Sequence, residues 1–492
     1  MILDGRTLTP AQVAGVARGA ATVRLDKAAR ARNSAACEAL AALLEAGTPV
    51  YGVTTGVGAL RSRELAPRER AGHQLRLLRS HACGAGRPLA PERVRATMVV
   101  RANQLGAGGA AVSDHLLESL VAALNAGFVP LTRELGSLGT GDLSVLADIA
   151  LALLGEGRVW HADQLVAAGP ALGAAGLVAP ELGPRDGIAF MSSSAATIGH
   201  AALVSVDADL LLEASLAVAA LSFMAAQADA VVLDPRVHAA RAHPGQVAIA
   251  ARMRELLGSD ADAGQARSAI HDPYPFRALA QVEGAHFDAV RGLEDLLAVE
   301  LNAAGENALI DPGSPEALPN ANFHAGALAI GLDRLRAALA QSASLVAARV
   351  SSLLDPGLMG LPAALAERPG QDSGAMMLEY TAHAAAADVR LRAGPVAAQA
   401  VSVGGGIESH ASLAPFAARY AEDALESAAV AIATELVIAV RALRMRGRAP
   451  SPGEAGDLFA AAAELLGADQ SDRAMSDDIE AARKLVLRRG GA

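Results

Sequence analysis

The sequence predicts a mostly α-helical protein. Alanine and leucine recur at helical spacing over long stretches, most clearly over residues 195–265 and 413–446. Between these stretches, polar and aromatic residues collect in a few short loops that are rich in glycine or proline. Only residues 158–185, which begin Arg158-Val159-Trp160, favour short strands. A chain of 492 residues, of which 52% are hydrophobic, can bury a large helical core.

Composition also limits the class of protein. The formal net charge is −10 and the arginines are scattered along the chain, which argues against nucleic acid binding. No run of about 18 consecutive apolar residues is present, so we expect no transmembrane helix. The first residues do not form a secretory signal, and Cys37 and Cys83 provide neither a disulfide framework nor a paired metal motif. We therefore expect a cytoplasmic protein that binds no membrane and no metal.

The helical segments can be placed in order along the chain. Thr9-Pro10 supplies an N-cap and a first-turn proline, and glycines at Gly47 and at Gly106–Gly109 end two of the early helices. The periodicity predicts helices in these segments: 9–47 as a pair, 68–83, 91–127 as a pair, 143–154, 195–265, 279–304, 326–353, 375–398, 413–446 and 476–488.

One glycine-rich run lies between two apolar segments, Gly136-Ser137-Leu138-Gly139-Thr140-Gly141-Asp142. Its spacing predicts a glycine loop followed by Asp142 in the first turn of a helix. Because glycine permits close backbone approaches, the tripeptide Gly139-Thr140-Gly141 is also able to bend back on itself. The amide nitrogen of Gly141 would then approach the carbonyl of Gly139, with the hydroxyl of Thr140 between them. Spacing alone favours the helix start.

Two further loops carry side chains suited to catalysis or binding. Tyr51 lies in a loop with three glycines, Val50–Gly58, and is either a surface residue or an acid/base group near a ligand. Arg277 closes a loop whose backbone is restricted by Pro273 and Pro275. It is either a surface charge or a clamp for a substrate carboxylate, because its planar guanidinium binds two oxygens.

Taken in order, the loops resemble motifs of the aromatic amino acid ammonia-lyase family, closest to the bacterial histidine ammonia-lyase-like form. The family includes histidine, phenylalanine and tyrosine ammonia-lyases and aminomutases, and the resemblance covers nearly the whole chain. The matching segments are Tyr51–Gly58 with Y-G-x-N-T-G-F-G, Arg79–Gly84 with L-S-H-A-x-G, Gly136–Leu146 with G-S-V-G-A-S-G-D-L-x-P-L, Asp272–Arg277 with D-x-Y-S-x-R, Gln281–Gly284 with Q-V-x-G, Asn322–His324 with G-N-F-H and Glu408–His410 with the end of N-Q-E-D-H.

The resemblance implies a fold, an assembly and a reaction. The fold is mostly α, a long central helical bundle of the ammonia-lyase type with a smaller N-terminal loop-rich region. We expect residues 1–194 to form that N-terminal region, which carries both the Tyr51 loop and the glycine loop. Residues 195–492 would form the bundle and the C-terminal helices. The implied assembly is a homotetramer in which loops of three subunits build each site.

Members of the family cyclise an Ala-Ser-Gly tripeptide into an electrophile, 4-methylidene-imidazol-5-one (MIO), which allows ammonia to leave across the α,β bond of an aromatic L-amino acid. The resemblance implies a role for each matching residue. Tyr51 removes the β-proton, Arg277 holds the substrate carboxylate, Tyr274 and Phe323 line the side of the electrophile, and His81 helps to choose an imidazole or phenol ring. Glu408 matches the acidic residue that is typical of histidine lyases at this position of the motif.

The sequence departs from the family at the electrophile itself. Gly139-Thr140-Gly141 is one residue shorter than G-A-S-G, and no serine stands where the methylidene carbon arises. Either Thr140 is dehydrated in place of the serine, which gives an MIO-like group with an extra methyl, or no ring forms and the loop is an ordinary peptide. Ser192 replaces the asparagine that stabilises the oxygen of the electrophile, and such a donor is typically worth about 10²–10³ in rate.

The sequence therefore predicts a carbon–nitrogen lyase that acts on a histidine- or tyrosine-like L-amino acid. The predicted site contains Tyr51, Gly139, Thr140, Gly141, Tyr274 and Glu408 as catalytic residues and His81, Ser192, Arg277 and Phe323 as substrate-binding residues. Two alternatives stay open: a lyase or isomerase on the same scaffold that does not use MIO, and a homologue without catalysis.

Overall fold

A computed structural model describes residues 1–70, 72–162, 164–264 and 271–488. Three positions of predicted segments lie outside these described residues: Ala71 in the predicted helix 68–83, Asp163 in the predicted strand region 158–185, and residue 265 at the end of the predicted helix 195–265. The prediction of a mostly helical protein is confirmed. The α-helices are Pro10–Ala17, Lys27–Glu45, Pro67–Arg70, His73–His81, Pro91–Ala107, Asp114–Asn125, Leu143–Leu153, Ala168–Ala174, Asp186–Met191, Ala195–Ala226, Pro235–Ala239, Pro244–Leu257, Tyr274–Arg277, Leu279–Glu300, Gly326–Leu354, Pro356–Met359, Met376–Arg392, Ala414–Met445, Glu454–Leu465 and Ser476–Arg488.

The early helices begin and end for the reasons that the sequence suggests. The Thr9 hydroxyl accepts a bond from the Gln12 amide while the Gln12 side chain accepts from the Thr9 amide, which is a complete capping box. Gly108 and Gly109 have φ values of 103° and 95°, a region that favours glycine, and they follow the helix Pro91–Ala107. Among the described residues of the predicted strand region, only Arg158–His161 and Gln164–Ala167 are strands, and Ala168–Ala174 is helical.

The strands among the described residues are short and pair in five small sheets. Ile2–Leu3 pairs in parallel with Arg24–Leu25, and the other pairings are antiparallel. The antiparallel sheets are Ala85–Pro88 with Arg133–Leu135, Val129–Pro130 with Arg158–His161 and Gln164–Ala167, Leu309–Asp311 with Glu316–Leu318, and Val401–Val403 with Glu408–Ala411.

The chain divides into two compact units. The first comprises residues 1–206, 293–332 and 395–419, and it contains every strand named above. Its core includes Leu78, Met98 and Leu105, all fully buried. A buried ion pair also lies within it, because Arg101 and Glu306 approach to 3.0 Å with neither side chain exposed. A charge pair without solvent is costly to break, so it fixes the segments that carry it.

The second unit comprises residues 207–292, 333–394 and 420–492, and its named elements are helical. Phe223 and Phe276 pack edge to face in its core, with ring centroids 5.2 Å apart. A fully buried ion pair joins Arg349 to Glu435 through bonds of 2.7 and 2.9 Å, and the Ser222 hydroxyl donates to the same carboxylate.

Two helical stretches, Asp186–Ala226 and Gly326–Leu354, are long and apolar enough to cross a membrane by length and composition alone. Within their most apolar windows, 83% and 67% of the residues are buried inside the protein. Core helices of globular proteins have this character, because a helix that is apolar on all sides must be covered by other elements.

Candidate active site

The Tyr51 loop is held by a side chain from the helix His73–His81. The Gln74 amide donates to the carbonyl of Gly52 at 2.9 Å and accepts from the amide of Ile188 at 3.0 Å. Gly52 has φ 69°, and a Cβ there would lie 2.9 Å from the Ile188 side chain, so the turn requires glycine. The Tyr51 hydroxyl accepts a 2.9 Å bond from the amide of Gly58, which fixes the phenol oxygen within the loop.

His81 ends the helix that carries Gln74. Its Nδ1 lies 2.8 Å from the carbonyl of Leu77 and 3.0 Å from the hydroxyl of Ser80. A carbonyl only accepts, so Nδ1 carries the proton in this arrangement and Nε2 of the neutral ring is an acceptor. The half-buried His81 therefore offers a lone pair to a donor on a ligand.

The glycine loop is anchored by two other segments of the first unit. The carbonyl of Gly139 accepts bonds from the Ser412 hydroxyl at 3.0 Å and from the amide of Ala325 at 3.3 Å. Gly139 has φ 86°, and a Cβ there would lie 2.1 Å from the Ser412 oxygen. Thr140 and His324 form an isolated antiparallel bridge. These contacts fix the backbone on both sides of Thr140.

Thr140 is bound to one of the predicted site residues. Its hydroxyl donates to Oε2 of Glu408 at 2.6 Å. Glu408 begins the second strand of a hairpin, in which it pairs with Val403 across the turn Gly404–Gly406. All three glycines of that turn have positive φ values, between 64° and 87°, which explains the triple glycine in the sequence.

The three serines at 192–194 each make a different contact. The Ser192 hydroxyl accepts from the amide of Asn307 at 2.9 Å, which leaves its own O–H free to donate to a ligand oxygen. Ser193 donates to Gln104 at 2.7 Å, and Ser194 donates to the carbonyl of Phe323 at 2.6 Å. The serine run is therefore joined to the Phe323 loop and is more than a helix cap.

Asp142 lies just before the helix Leu143–Leu153 rather than within its first turn, and its carboxylate does not cap that helix. It accepts from the amide and the hydroxyl of Thr197 at 2.7 and 2.9 Å and from the Ser137 hydroxyl at 2.5 Å. Burial raises the pKa of Asp142, and these bonds oppose the rise. Its role is to join the glycine loop to the helix that follows Ser194.

Two histidines on neighbouring loops also make contact. His324 Nε2 lies 3.1 Å from both Nδ1 and the carbonyl oxygen of His410, and His324 Nδ1 accepts from the amide of Gly326 at 3.2 Å. Nε2 of neutral His324 therefore carries the proton and donates toward His410. The pair holds the Phe323 loop against the hairpin that carries Glu408.

The predicted site residues fall into two sets. Tyr51, His81, the glycine loop, Ser192, Phe323 and Glu408 belong to the first unit, where contacts join the glycine loop to Glu408, to the serine run and to the Phe323 loop. Tyr274 and Arg277 belong to the second unit. Tyr274 is 70% exposed, and the Arg277 guanidinium lies 6.0 Å from its ring centroid.

Sequence reasoning missed several residues that hold these loops. Gln74, Gln104, Ser412 and the pair His324 and His410 all make the contacts given above. Gln74 and His410 stand within or beside recognised motifs, so their presence was a usable signal. Ser412 carried no signal, because its partner Gly139 is 273 positions away.

The chain matches the family model described as aromatic amino acid lyase over residues 8–465. It is 32% identical over 486 residues to a histidine ammonia-lyase of Treponema denticola, covering 98% of this chain and 96% of that protein. The ergothioneine-degrading enzyme ergothionase of Treponema denticola, solved with desmethyl-ergothioneine sulfonic acid, superposes with a TM-score of 0.94 at 28% identity, covering 99% of both chains. The tyrosine aminomutase of Streptomyces globisporus gives a TM-score of 0.93 at 31% identity, covering 99% of this chain and 97% of that one.

Proposed function

We propose that this protein eliminates the α-amine of a histidine-like L-amino acid. The premise is that the chain belongs to the aromatic amino acid lyase family and is a carbon–nitrogen lyase. One observation supports the ring assignment above others. Nδ1 of the neutral His81 ring donates to the Leu77 carbonyl at 2.8 Å, so Nε2 is left as an acceptor for a ligand. An imidazole N–H is a suitable donor for that lone pair.

Two of the similar proteins are consistent with an imidazole substrate, whereas the tyrosine aminomutase is named for a phenol. The sequence relative from Treponema denticola is named a histidine ammonia-lyase. Ergothioneine, named for one structural neighbour, is a betaine of histidine with sulfur on its imidazole ring. Histidine and ergothioneine share an imidazole ring, a β-carbon with removable protons and an α-nitrogen. A phenol would also donate to His81, so tyrosine-like amino acids must be assayed beside imidazole amino acids.

The residues of the first unit divide the work between the two ends of the substrate. The phenolate form of Tyr51, whose oxygen accepts from the Gly58 amide, takes the proton from the β-carbon and becomes the phenol. The electron pair of that C–H bond forms the α,β double bond, and the C–N pair leaves with the amine. Glu408, bound to Thr140, places a negative charge at the amine end. Ser192 retains a hydroxyl proton for an oxygen of the ligand.

The carboxylate end is assigned to Arg277, with Tyr274 beside it. Because both lie in the second unit and Tyr274 is largely exposed, we assign them to the site of another subunit in a homotetramer. An arginine held next to an aromatic ring suits a planar carboxylate, which it binds through two parallel bonds. Size-exclusion chromatography with light scattering tests the tetramer directly, and a monomer would contradict this assignment.

The glycine loop lacks the features that the self-formed group of the family requires. Its ring closes with loss of two waters, one of which carries away the carbonyl oxygen of the first residue. That oxygen belongs here to Gly139 and accepts from Ser412 and Ala325. The second oxygen belongs to Thr140, which is bound to Glu408 and brings an extra methyl to the carbon that a nucleophile would attack. The residues of the glycine loop therefore do not fit this group.

The test compares purified wild type with Tyr51→Phe. Imidazole, phenol and phenyl amino acids, each with a free and an N-methylated α-amine, are assayed for released amine and for near-ultraviolet absorbance of the conjugated acid. We expect an imidazole substrate to be preferred and Tyr51→Phe to lower kcat by about 10²–10⁴-fold, as loss of a general base typically does. Tyr380→Phe, at an exposed tyrosine of the second unit, is the matched control.

Two results would contradict this function. Turnover limited to phenyl or phenol substrates would reject the imidazole assignment, and equal activity of wild type and Tyr51→Phe would reject the role of Tyr51. Chromatography of the products separates a lyase, which releases the amine, from an aminomutase, which returns it to the β-carbon.

A further inference from the structure

We propose that the buried ion pair of Arg101 and Glu306 positions the hydroxyl of Ser192 for the substrate carboxylate, so that both are positioning residues of the elimination. This inference rests on the proposed function, from which it takes Ser192 as a donor to a ligand oxygen, and it adds the residues that fix where this donor lies. The carboxylate carries the only oxygens of an imidazole amino acid, so it is the group that the donor meets.

Arg101 holds the end of the helix that leads to Ser192. Its Nε donates to the carbonyl of Phe190 at 3.0 Å, and one terminal nitrogen donates to the carbonyl of the preceding residue, Ala189. These carbonyls lie in the last turn of the helix that ends at Met191, directly before Ser192. The last carbonyls of a helix have no donors within the helix, and here a buried guanidinium supplies them. The backbone that carries the Ser192 hydroxyl is thereby tied to Arg101.

The same guanidinium also reaches the segment that contacts the Ser192 hydroxyl. Its other terminal nitrogen lies 3.0 Å from Oε1 of Glu306. The next residue, Asn307, donates its backbone amide to the Ser192 oxygen at 2.9 Å. Asn320 fixes this segment further, because its side chain donates to the carbonyl of Glu306 at 2.9 Å and its amide donates to the Asn307 side chain at 3.1 Å. One guanidinium therefore sets both the backbone that carries the hydroxyl and the amide from which the hydroxyl accepts.

The Asn307 amide restricts the direction in which Ser192 donates. A hydroxyl that accepts from one fixed donor must turn its own proton away from that donor. Ser192 is 6% exposed, so little water competes for this proton. A misplacement of about 1 Å in a group that positions the substrate can cost about 10²-fold in rate. A shift of the Asn307 amide would therefore weaken the bond from Ser192 to the substrate.

Stability alone does not account for a charged pair at this place. Neither side chain is exposed, and burial raises the pKa of Glu306 while the charge of Arg101 opposes the rise. Replacement of a buried ion pair by apolar residues of similar volume is often neutral or stabilising. An apolar pair lacks the planar set of donors with which Arg101 binds two carbonyls and a carboxylate at once. The pair therefore contributes geometry to Ser192 that packing would not.

The test is a double-mutant cycle between Arg101→Lys and Ser192→Ala in the full-length protein. Lysine keeps the positive charge, but its single ammonium nitrogen does not reproduce the planar fork that binds all three oxygens. Two quantities are measured: kcat/KM for L-histidine, and Kd for imidazolepropionate, which keeps the ring and the carboxylate but lacks the amine.

We expect each single substitution to lower kcat/KM and to raise Kd about 10–100-fold, as loss of a hydrogen bond to a charged group does. In the Ser192→Ala background, Arg101→Lys should change either quantity by less than about twofold, because the donor that it positions is already absent.

Arg349→Lys is the matched control, because Arg349 forms a fully buried pair with Glu435 in the second unit. We expect it to lower the free energy of unfolding, and to change kcat/KM and Kd by the same factor in both backgrounds. Thermal unfolding followed by circular dichroism shows that each variant is folded. Should Arg101→Lys not fold, Arg101→Met/Glu306→Leu takes its place in the cycle, because it removes both charges and leaves neither unpaired.

The outcomes separate this inference from the proposed function. Equal effects of Arg101→Lys in the wild-type and Ser192→Ala backgrounds would overturn the inference, since the arginine would then not act through Ser192. Unchanged kcat/KM and Kd in Arg101→Lys would overturn it too. If the wild type binds imidazolepropionate but turns over no imidazole amino acid, the proposed function fails while the binding cycle still decides the inference. A wild type that neither binds this probe nor turns over an imidazole amino acid overturns both.

Discussion

The hydroxyl of Thr140 donates a 2.6 Å hydrogen bond to the carboxylate of Glu408, across 268 positions of sequence. The glycine loop and the hairpin that contains Gly404–Gly406 are therefore joined through these two side chains. Sequence motifs identify both residues separately, but the bond between them is a property of the fold.

Glu408→Gln tests the charge next to Thr140. The amide keeps an acceptor for Thr140 but loses the negative charge, so we expect KM for a cationic substrate to rise about tenfold, which corresponds to about 1.4 kcal/mol, with a smaller change in kcat. Steady-state kinetics measure both constants. Glu181→Gln, at an exposed position of the first unit, is the control. An unchanged KM would show that Glu408 does not face the amine.

Gly139→Ala should destabilise the glycine loop. The new Cβ would lie 2.1 Å from the Ser412 oxygen, and φ 86° is unfavourable for alanine. We expect a loss of about 1–3 kcal/mol, as for overpacking elsewhere, measured by thermal or urea unfolding. The double variant Gly139→Ala/Ser412→Ala should recover only part of this loss, because backbone nitrogens remain 3.1–3.2 Å from the Cβ. Full recovery would mean that Ser412 alone sets the constraint.

Glu435→Gln should destabilise the second unit more than the loss of a surface pair would. It leaves the fully buried Arg349 with an uncompensated charge, a situation that costs about 3–5 kcal/mol. Unfolding monitored by circular dichroism measures the effect. Arg349→Met/Glu435→Leu, which removes both charges, should be clearly less destabilised. Equal losses of stability in the two variants would indicate that packing, rather than the unpaired charge, causes the loss.

Asp148→Asn should change how stability depends on pH. Burial raises the pKa of Asp148 to about 6, and Arg133 opposes the rise. A carboxyl whose pKa is higher in the folded state than in the unfolded chain destabilises the folded state when it is charged, which here is above pH 6. This penalty disappears as the pH falls from 6 toward the pKa of the unfolded chain, about 4. The variant should therefore be more stable than wild type at pH 7.5, and the difference should shrink at pH 5.

Comparison of melting temperatures of wild type and variant across that interval isolates this one group, because every other titrating residue is common to both proteins. A difference that stays constant between pH 5 and pH 7.5 would refute the assignment of the titration to Asp148.

Sequence reasoning predicted what depends on local chemistry. The Thr9 cap, the break at Gly108 and Gly109 and most of the long helices follow from residue type and periodicity and are present. The predicted helix over 195–265 is divided into Ala195–Ala226, Pro235–Ala239 and Pro244–Leu257. The helix Ala168–Ala174 was missed, since its glycines and proline suggested strands and turns, yet it packs its Ala168 and Leu172 into the first unit. Asp142 was placed in a helical turn because nothing local indicated its partner, Thr197.

The site was predicted less completely for the same reason. Motif order indicated Tyr51, Thr140, Ser192 and Glu408 as site residues, and their assigned roles stay predictions. The contacts of Thr140 with Glu408 and of Gly139 with Ser412 join positions far apart in sequence, so no local pattern contains them.

The hairpin that carries Glu408 also has a consequence for biosynthesis. The ribosome synthesises residues 136–142 long before residues 404–412. The glycine loop therefore lacks its partners Glu408 and Ser412 until more than four-fifths of the chain has been made. A nascent or prematurely terminated chain cannot assemble the pairing of Thr140 with Glu408. If this contact is needed for activity, as proposed, we expect truncated products to be inactive.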